Sequence, residues 1–226
     1  LDVIMGLENR IVYDLVNVIE GKCKMHQAMI RDKHQLELFL IPAAQTRDKD
    51  SIEPEQLREL CEKLENEFDY VLMDCPAGIE GGFKNAVAAA KEAILVTTPE
   101  VSAIRDADRV IGLLEASELH RPKLIINRID TNMVKHGDMM NKDDIVELLS
   151  VEVLGLVPAD EHTITAANRG IPVVYDKKAP SGSAFLRIAA RVDGDEVPFM
   201  DLEPRFSIMD RVKGLVGLNG RAYSHA

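Results

Sequence analysis

Short apolar segments alternate with segments of helical periodicity along most of the chain. This alternation is typical of βαβ units and predicts an α/β fold with a mostly parallel sheet. Because the apolar runs are continuous and do not alternate with polar residues, we expect helices on both faces of the sheet. Six strands are predicted, at residues 36–41, 70–74, 93–97, 123–127, 153–157 and 172–175.

Helices are predicted where apolar residues recur at spacings of three and four positions. The segment 54–68 begins with Pro54, and proline fits the first turn of a helix. The segment 101–119 directs Ile104 and Ile111 inward and its charged residues outward. Further helices are predicted at residues 10–19, 142–149, 161–168 and 183–192.

The length and composition fit one large globular domain in a reducing, cytoplasmic compartment. The chain has 226 residues, of which 46% are hydrophobic and 29% charged, and this is enough for a proper core. No apolar run approaches the roughly 20 residues needed to cross a bilayer. The net charge of -11 argues against nucleic acid as a partner, since binding it needs surplus Lys and Arg. The spacing of the three cysteines is unlike that of a metal site and fits unpaired thiols in a reducing compartment. They are Cys23, Cys61 and Cys75.

The end of the chain differs in character from the predicted core at residues 1–192. Residues 193–204 contain five acidic residues and two prolines and are interpreted as an acidic linker. In the tail, residues 205–226, helical periodicity returns, and residues 205–221 carry four basic residues and one acidic residue, a local charge of +3. This pattern predicts a helix that targets an anionic membrane, although a helix docked on the core fits it as well. The apolar stripe of this helix consists of Ile208, Met209, Val212, Leu215 and Val216.

The segment 68–78 carries the residues best suited to bind a nucleotide phosphate. The predicted strand ends in Asp74, which would bring a carboxylate to the carboxyl edge of the sheet. There it can orient a water on Mg²⁺. Gly78 has no Cβ, so its backbone N–H can come close to a terminal phosphate. A strand that merely ends in a capping aspartate remains an alternative interpretation.

Several strings in the chain are similar to those of one ATPase group. The string DCPAGIE at residues 74–80 resembles the switch sequence of the MinD group within the MinD/ParA P-loop ATPases. The string PAAQTRDKD at residues 42–50 and the pattern TTPEVSAIRDADR at residues 97–109 resemble further MinD sequences in the same order. The resemblance extends over nearly the whole chain, including residues 7–19. It implies the fold of P-loop NTPases.

The resemblance also implies a nucleotide site and its ligands, ATP and Mg²⁺. Asn127 and Arg128 are similar to the position that reads the adenine edge, and an asparagine side chain offers both a donor and an acceptor. Pro158 and Asp160 resemble the loop that packs against the base. A strand end followed by a capped helix explains these two residues equally well.

By resemblance, the protein is expected to be an ATPase that helps select the division site. The group forms a homodimer with ATP, binds reversibly to the inner face of the cell membrane, and works with a MinC-like inhibitor and a MinE-like activator. Asp106 and Asp108 become candidate docking residues for these partners, although exposed helical charges are most often only solvated.

One part of the family pattern is not found in this sequence. No G-x-x-x-x-G-K-[ST] string occurs, and the resemblance implies that the phosphate-binding lysines and the water-positioning carboxylate precede Leu1. Without the first strands and helix, we expect the printed chain to be marginally stable and not to hydrolyse ATP. The alternatives are a nucleotide-independent interaction module, or a relative that controls flagellar number or partitioning.

Overall fold

Three parallel strands form the central sheet of the computed structural model, which describes residues 1–43, 52–75, 78–79 and 81–202. Their order is β3-β4-β5, and a separate antiparallel pair is formed by β1 and β2. The strands are β1 (Ile30–Arg31), β2 (Phe39–Leu40), β3 (Ile94–Thr97), β4 (Lys123–Ile129) and β5 (Glu152–Pro158). The helices are α1 (Leu15–Ile19), α2 (Met25–Ala28), α3 (Pro54–Leu64), α4 (Gly81–Ala89), α5 (Val101–Ala116), α6 (Thr131–His136), α7 (Lys142–Leu149), α8 (Glu161–Asn168) and α9 (Pro180–Val192).

Helices cover both faces of the parallel sheet around β4, as the continuous apolar strands predict, whereas Ile94 and Val96 on one face of β3 are exposed. On one face, Leu124 and Ile126 of β4 pack in a cluster with Ile111 and other buried residues of α5 and with Ile145 and Leu149 of α7. On the other face, Ile125 joins a second cluster that includes Ala184 and Ile188 of α9. Successive residues of β4 therefore point into opposite clusters, because side chains alternate across a strand. The α/β class with a mostly parallel sheet is confirmed.

The sheet and α9 approach each other closely at Gly155. A Cβ added to this glycine of β5 would lie 2.2 Å from Cγ1 of Ile188. Two carbon atoms that are not bonded to each other do not come this close. The absence of a side chain at Gly155 therefore allows α9 to pack this near to β5. The contact holds α9 against the strand that ends at Pro158.

Two helices match their predicted boundaries, and others differ at their ends. The segments 142–149 and 161–168 are α7 and α8. Asn141 caps α7 and Asp160 caps α8, each by accepting a backbone N–H. The helix predicted at 54–68 ends at Leu64, and that predicted at 10–19 is reduced to α1 and a turn of 3-10 helix at Glu8–Arg10. The three helices α2, α4 and α6 were not predicted.

Three of the predicted strands are wrong in whole or in part. Of residues 36–41, only Phe39 and Leu40 are paired, and they run antiparallel to β1. Residues 172–175 contain a 3-10 helix, Val173–Tyr175, and it packs so closely on α9 that a Cβ added to Gly182 would lie 2.6 Å from the Val173 carbonyl oxygen. Residues 70–74 are neither helix nor strand, and no strand pairs with them within the described part of the chain. Extended apolar residues form a sheet only when a neighbour satisfies their backbone groups.

The described part of the linker lies against the core without helix or strand. Arg191 of α9 donates hydrogen bonds from Nη1 to the Leu154 carbonyl and from Nε to the Val197 carbonyl, at 2.9 and 2.8 Å. Its guanidinium stacks on the Phe199 ring at 4.4 Å. Leu202 packs against the first apolar cluster. The tail residues lie outside the described part of the chain, and within that part no helix has the length and apolarity to span a membrane.

Candidate functional site

The carboxyl end of β4 contains a bulge at Asn127 and Arg128. Pairing with β5 shifts between Ile126 and Ile129, so these two residues stand between regular pairs of the ladder. Arg128 has a φ of 58°, a left-handed conformation that non-glycine residues adopt at a cost. Its backbone N–H donates to Oδ1 of Asn127 at 2.8 Å. The bulge therefore orients both polar side chains at the sheet edge.

The carboxyl end of β5 is tied directly to this bulge. The backbone N–H of Ala159 donates to the Ile129 carbonyl at 2.9 Å, one residue after Pro158 pairs with the same Ile129. Ala159 is exposed, whereas the neighbouring Asp160 side chain is only 4% exposed. Both predicted groups of base-binding residues thus lie at the same edge, on adjacent parallel strands.

Asp160 joins the first turns of two helices. Its Oδ2 accepts hydrogen bonds from the Ser181 backbone N–H and hydroxyl, at 3.0 and 2.6 Å. Its Oδ1 accepts the backbone N–H of His162 at 2.9 Å and lies 2.7 Å from the imidazole Nδ1. Burial alone would raise the pKa of Asp160, but the hydrogen bonds from Ser181 and His162 outweigh it and lower the pKa to about 2. The carboxylate is therefore ionised and satisfied by this chain's own donors.

The predicted switch residues lie on the surface, ahead of α4. Asp74 is exposed at the end of the segment 70–74, and Leu72 within that segment is 81% exposed. Gly78 is also exposed, has a φ of 104° and has open space where a Cβ would stand. This conformation favours glycine and leaves the backbone open to a ligand. Within the described part of the chain, no strand pairs with segment 70–74. Strand pairing therefore does not fix the distance from Asp74 to Asn127 at the carboxyl end of β4.

Asp106 and Asp108 project from the outer side of α5. Both are exposed, as are Arg105 and Arg109 beside them, while Ile104 and its apolar partners are buried. The predicted division of this helix into an inward apolar face and an outward charged face is confirmed. The two carboxylates are accessible to a partner.

Sequence reasoning missed Ser181, which is 1% exposed and completes the Asp160 anchor. Serine after the proline that opens a helix is common, and no spacing rule relates it to an aspartate 21 residues earlier. A cleft of about 490 Å³ opens elsewhere, at the amino ends of β4 and β5, where Lys123, Glu152 and Val197 contribute to its lining. Ligand sites of open α/β sheets form at the carboxyl ends of strands, so this cleft is a poor candidate for a nucleotide.

Comparison with known proteins gives the chain its class. No family model matches it. It is 51% identical, over 221 residues, to the septum site-determining protein MinD of Bacillus subtilis strain 168, covering 96% of this chain and 82% of that protein. The solved MinC:MinD cell division protein complex of Aquifex aeolicus is 44% identical with a TM-score of 0.82, covering 88% of this chain and 80% of that one. MinD of Pyrococcus horikoshii, solved with Mg-ADP, is 26% identical with a TM-score of 0.73, over 85% of this chain and 78% of that one.

The parallel sheet with helices on both faces is therefore that of a P-loop NTPase of the MinD/ParA type. Within that class, the 51% identity to MinD of Bacillus subtilis over 96% of this chain identifies the family. The chain belongs to the MinD family of septum site-determining ATPases.

Proposed function

We propose that the chain binds ATP and Mg²⁺ for division-site selection, with the adenine at the carboxyl ends of β4 and β5. The supporting observation is the junction where the Asn127–Arg128 bulge is hydrogen-bonded to the loop 158–160. Such a junction offers fixed polar groups at the edge where α/β sheets bind ligands. The chain spans 82% of its Bacillus subtilis relative, and it contributes the base side of the site from its own residues.

Asn127 has the chemistry to read adenine. Because its Oδ1 accepts the Arg128 N–H, the orientation of the carboxamide is set, and the NH₂ group is directed away from that bond. The NH₂ donates to an acceptor nitrogen of the base, and the second lone pair of Oδ1 accepts from an amino group. The exposed Arg128 guanidinium is planar and suits stacking on the base.

Asp74 and Gly78 are proposed to face the outermost phosphate and its metal. Mg²⁺ keeps several of its waters when it binds proteins, so an exposed carboxylate that orients one of those waters fits this ion. Gly78 presents a backbone N–H at a position with no side chain. When bound, Mg²⁺ neutralises phosphate charge. The Pyrococcus horikoshii relative was solved with Mg-ADP, which supports this ligand.

The partner surfaces follow from exposure and charge. Asp106 and Asp108 give α5 two accessible carboxylates, which suit a basic surface on a MinC-like inhibitor or a MinE-like activator. The Aquifex aeolicus relative was solved in complex with MinC. The tail, residues 205–226, is proposed to bind the anionic inner face of the cell membrane, and an ATP-dependent homodimer would bring two such tails together.

Substitution of Asn127 tests the base-side proposal in the intact protein. Asn127→Ala should weaken ATP binding about tenfold, because the base loses two hydrogen bonds, while GTP binding changes less. Competition against a ribose-labelled fluorescent ATP measures both affinities. Asn132→Ala is the matched control, since Asn132 is an exposed asparagine on the neighbouring α6. Equal ATP affinity in wild type and Asn127→Ala would show that Asn127 does not contact the base.

A further inference from the structure

We infer that Asp160 is a positioning residue that sets base specificity by fixing the loop 158–160, and that it is not itself a ligand of the base. This inference rests on the proposed function, because it concerns the same adenine edge. It differs from the resemblance-based expectation, in which Asp160 contacts the nucleotide. The geometry points to an anchor made by Ser181 and two helix starts.

The first argument is that the Asp160 carboxylate has no capacity left for a ligand. Two of its contacts come from Ser181 and two from His162, and both oxygens are used. The side chain is 4% exposed and its main partner Ser181 is 1% exposed. A group so enclosed by this chain's own donors acts through the backbone that it holds.

The second argument is that the anchor joins three elements at one point beside the loop. Asp160 follows the end of β5 by two residues and caps α8, and Ser181 lies in the first turn of α9. The Ser181 hydroxyl also lies 3.1 Å from Oγ1 of Thr163, which connects α8 to α9 a second time. The backbone of Pro158 and Ala159 is therefore held from the bulge side by Ile129 and from the helix side by Asp160.

The third argument explains why this position affects which base is accepted. Ala159 in the loop is exposed. A backbone carbonyl oxygen presented to the base at this position would accept from the amino group of adenine but would repel the carbonyl oxygen that guanine has in its place. Such discrimination depends on a fixed loop, since a loop free to move by about an ångström can adapt to either base. A loop that Asp160 holds in one position therefore binds ATP more tightly than GTP.

The test is the ratio of GTP to ATP dissociation constants, measured by competition with the intact protein. Wild type should prefer ATP by at least about tenfold. Asp160→Asn and Ser181→Ala should each reduce that ratio about fivefold or more, because each removes buried hydrogen bonds of the anchor. His162→Ala should leave it within about twofold, since the backbone N–H remains and the side chain is 48% exposed.

Loss of stability alone must be separated from loss of positioning. Asn141→Ala removes the cap of α7 without touching the loop 158–160, so it should lower the melting temperature and leave the ratio unchanged. Partial unfolding lowers both affinities equally, and the ratio is insensitive to it. If both Asp160→Asn and Ser181→Ala keep the wild-type ratio of GTP to ATP dissociation constants, the inference about Asp160 is wrong. The proposal that the base binds at this edge is not contradicted by that result. Wild type without preference for ATP overturns both proposals.

Discussion

Asp160 has a carboxylate that folding removes almost entirely from solvent yet keeps charged. Since its pKa falls from an ordinary 3.8 to about 2, the folded state binds this proton less readily than the unfolded state. Such a group stabilises the fold at pH values above its unfolded pKa, and the stabilisation is lost as the pH falls through the folded pKa. The window of loss therefore lies between about pH 4 and pH 2.

Asp160→Asn should lower the free energy of unfolding by about 2 kcal/mol at pH 6, since one pKa unit corresponds to about 1.4 kcal/mol. About half of that difference should vanish by pH 3, as the unfolded wild type takes up the proton. Urea unfolding at both pH values measures this. Asn141→Ala, which removes an uncharged cap, should cost the same at both. A loss for Asp160→Asn that does not change with pH would contradict the ionised anchor.

Arg128 illustrates a residue whose role could not be read from sequence pattern alone. The apolar run of β4 predicts a strand ending at residue 127, and the observed strand continues to Ile129 through a bulge. Periodicity contains no information about a left-handed φ at Arg128, because that conformation is imposed by pairing with β5. Only the resemblance to MinD sequences singled out Asn127 and Arg128.

At the scale of elements, the predictions succeeded where a segment carries its own determinants. Helices α7 and α8 have capping residues and apolar spacing within the segment, and both were predicted with their observed boundaries. The segment 70–74 has equally good strand composition but depends on a partner strand for its hydrogen bonds. The segment 172–175 packs closely on α9, which lies later in the chain, and local composition contains no information on that contact.

The close contact between β5 and α9 gives a test of packing. Gly155→Ala should destabilise the protein by about 1–3 kcal/mol, because the new methyl overlaps the buried Ile188. Ile188→Ala should cost about 2–5 kcal/mol by leaving a cavity. The double variant should be more stable than the sum of the two losses predicts, since each change relieves the other. Additive losses in urea denaturation would show that Gly155 does not set this packing distance.

At the scale of the whole molecule, the charge distribution separates the tail from the rest. The chain has a net charge of -11, whereas residues 205–221 carry +3. An acidic body is repelled by an anionic bilayer, so the predicted membrane contact is confined to the basic, amphipathic tail. This confinement makes the membrane prediction testable at single positions.

Val212→Glu should abolish co-sedimentation of the intact protein with anionic vesicles, because it places a charge in the centre of the predicted apolar stripe. Gly214→Glu is the matched control, since position 214 lies about 160° away on the helical wheel and adds the same charge to the polar side. Similar loss of binding in both variants would indicate simple charge repulsion. Unchanged binding in Val212→Glu would contradict the membrane role of the tail.

Under the proposed attachment of the tail to a membrane, the hydrogen bonds of Arg191 would have a mechanical consequence. One bond holds the carbonyl of Leu154 in β5, and another holds the Val197 carbonyl in the segment that leads to the tail. A pull on that segment is thus transmitted to the strand whose far end holds the loop 158–160. The proposed membrane attachment and the proposed base site would thus be connected through β5, so tension at the bilayer would act on the strand at which the base is proposed to bind.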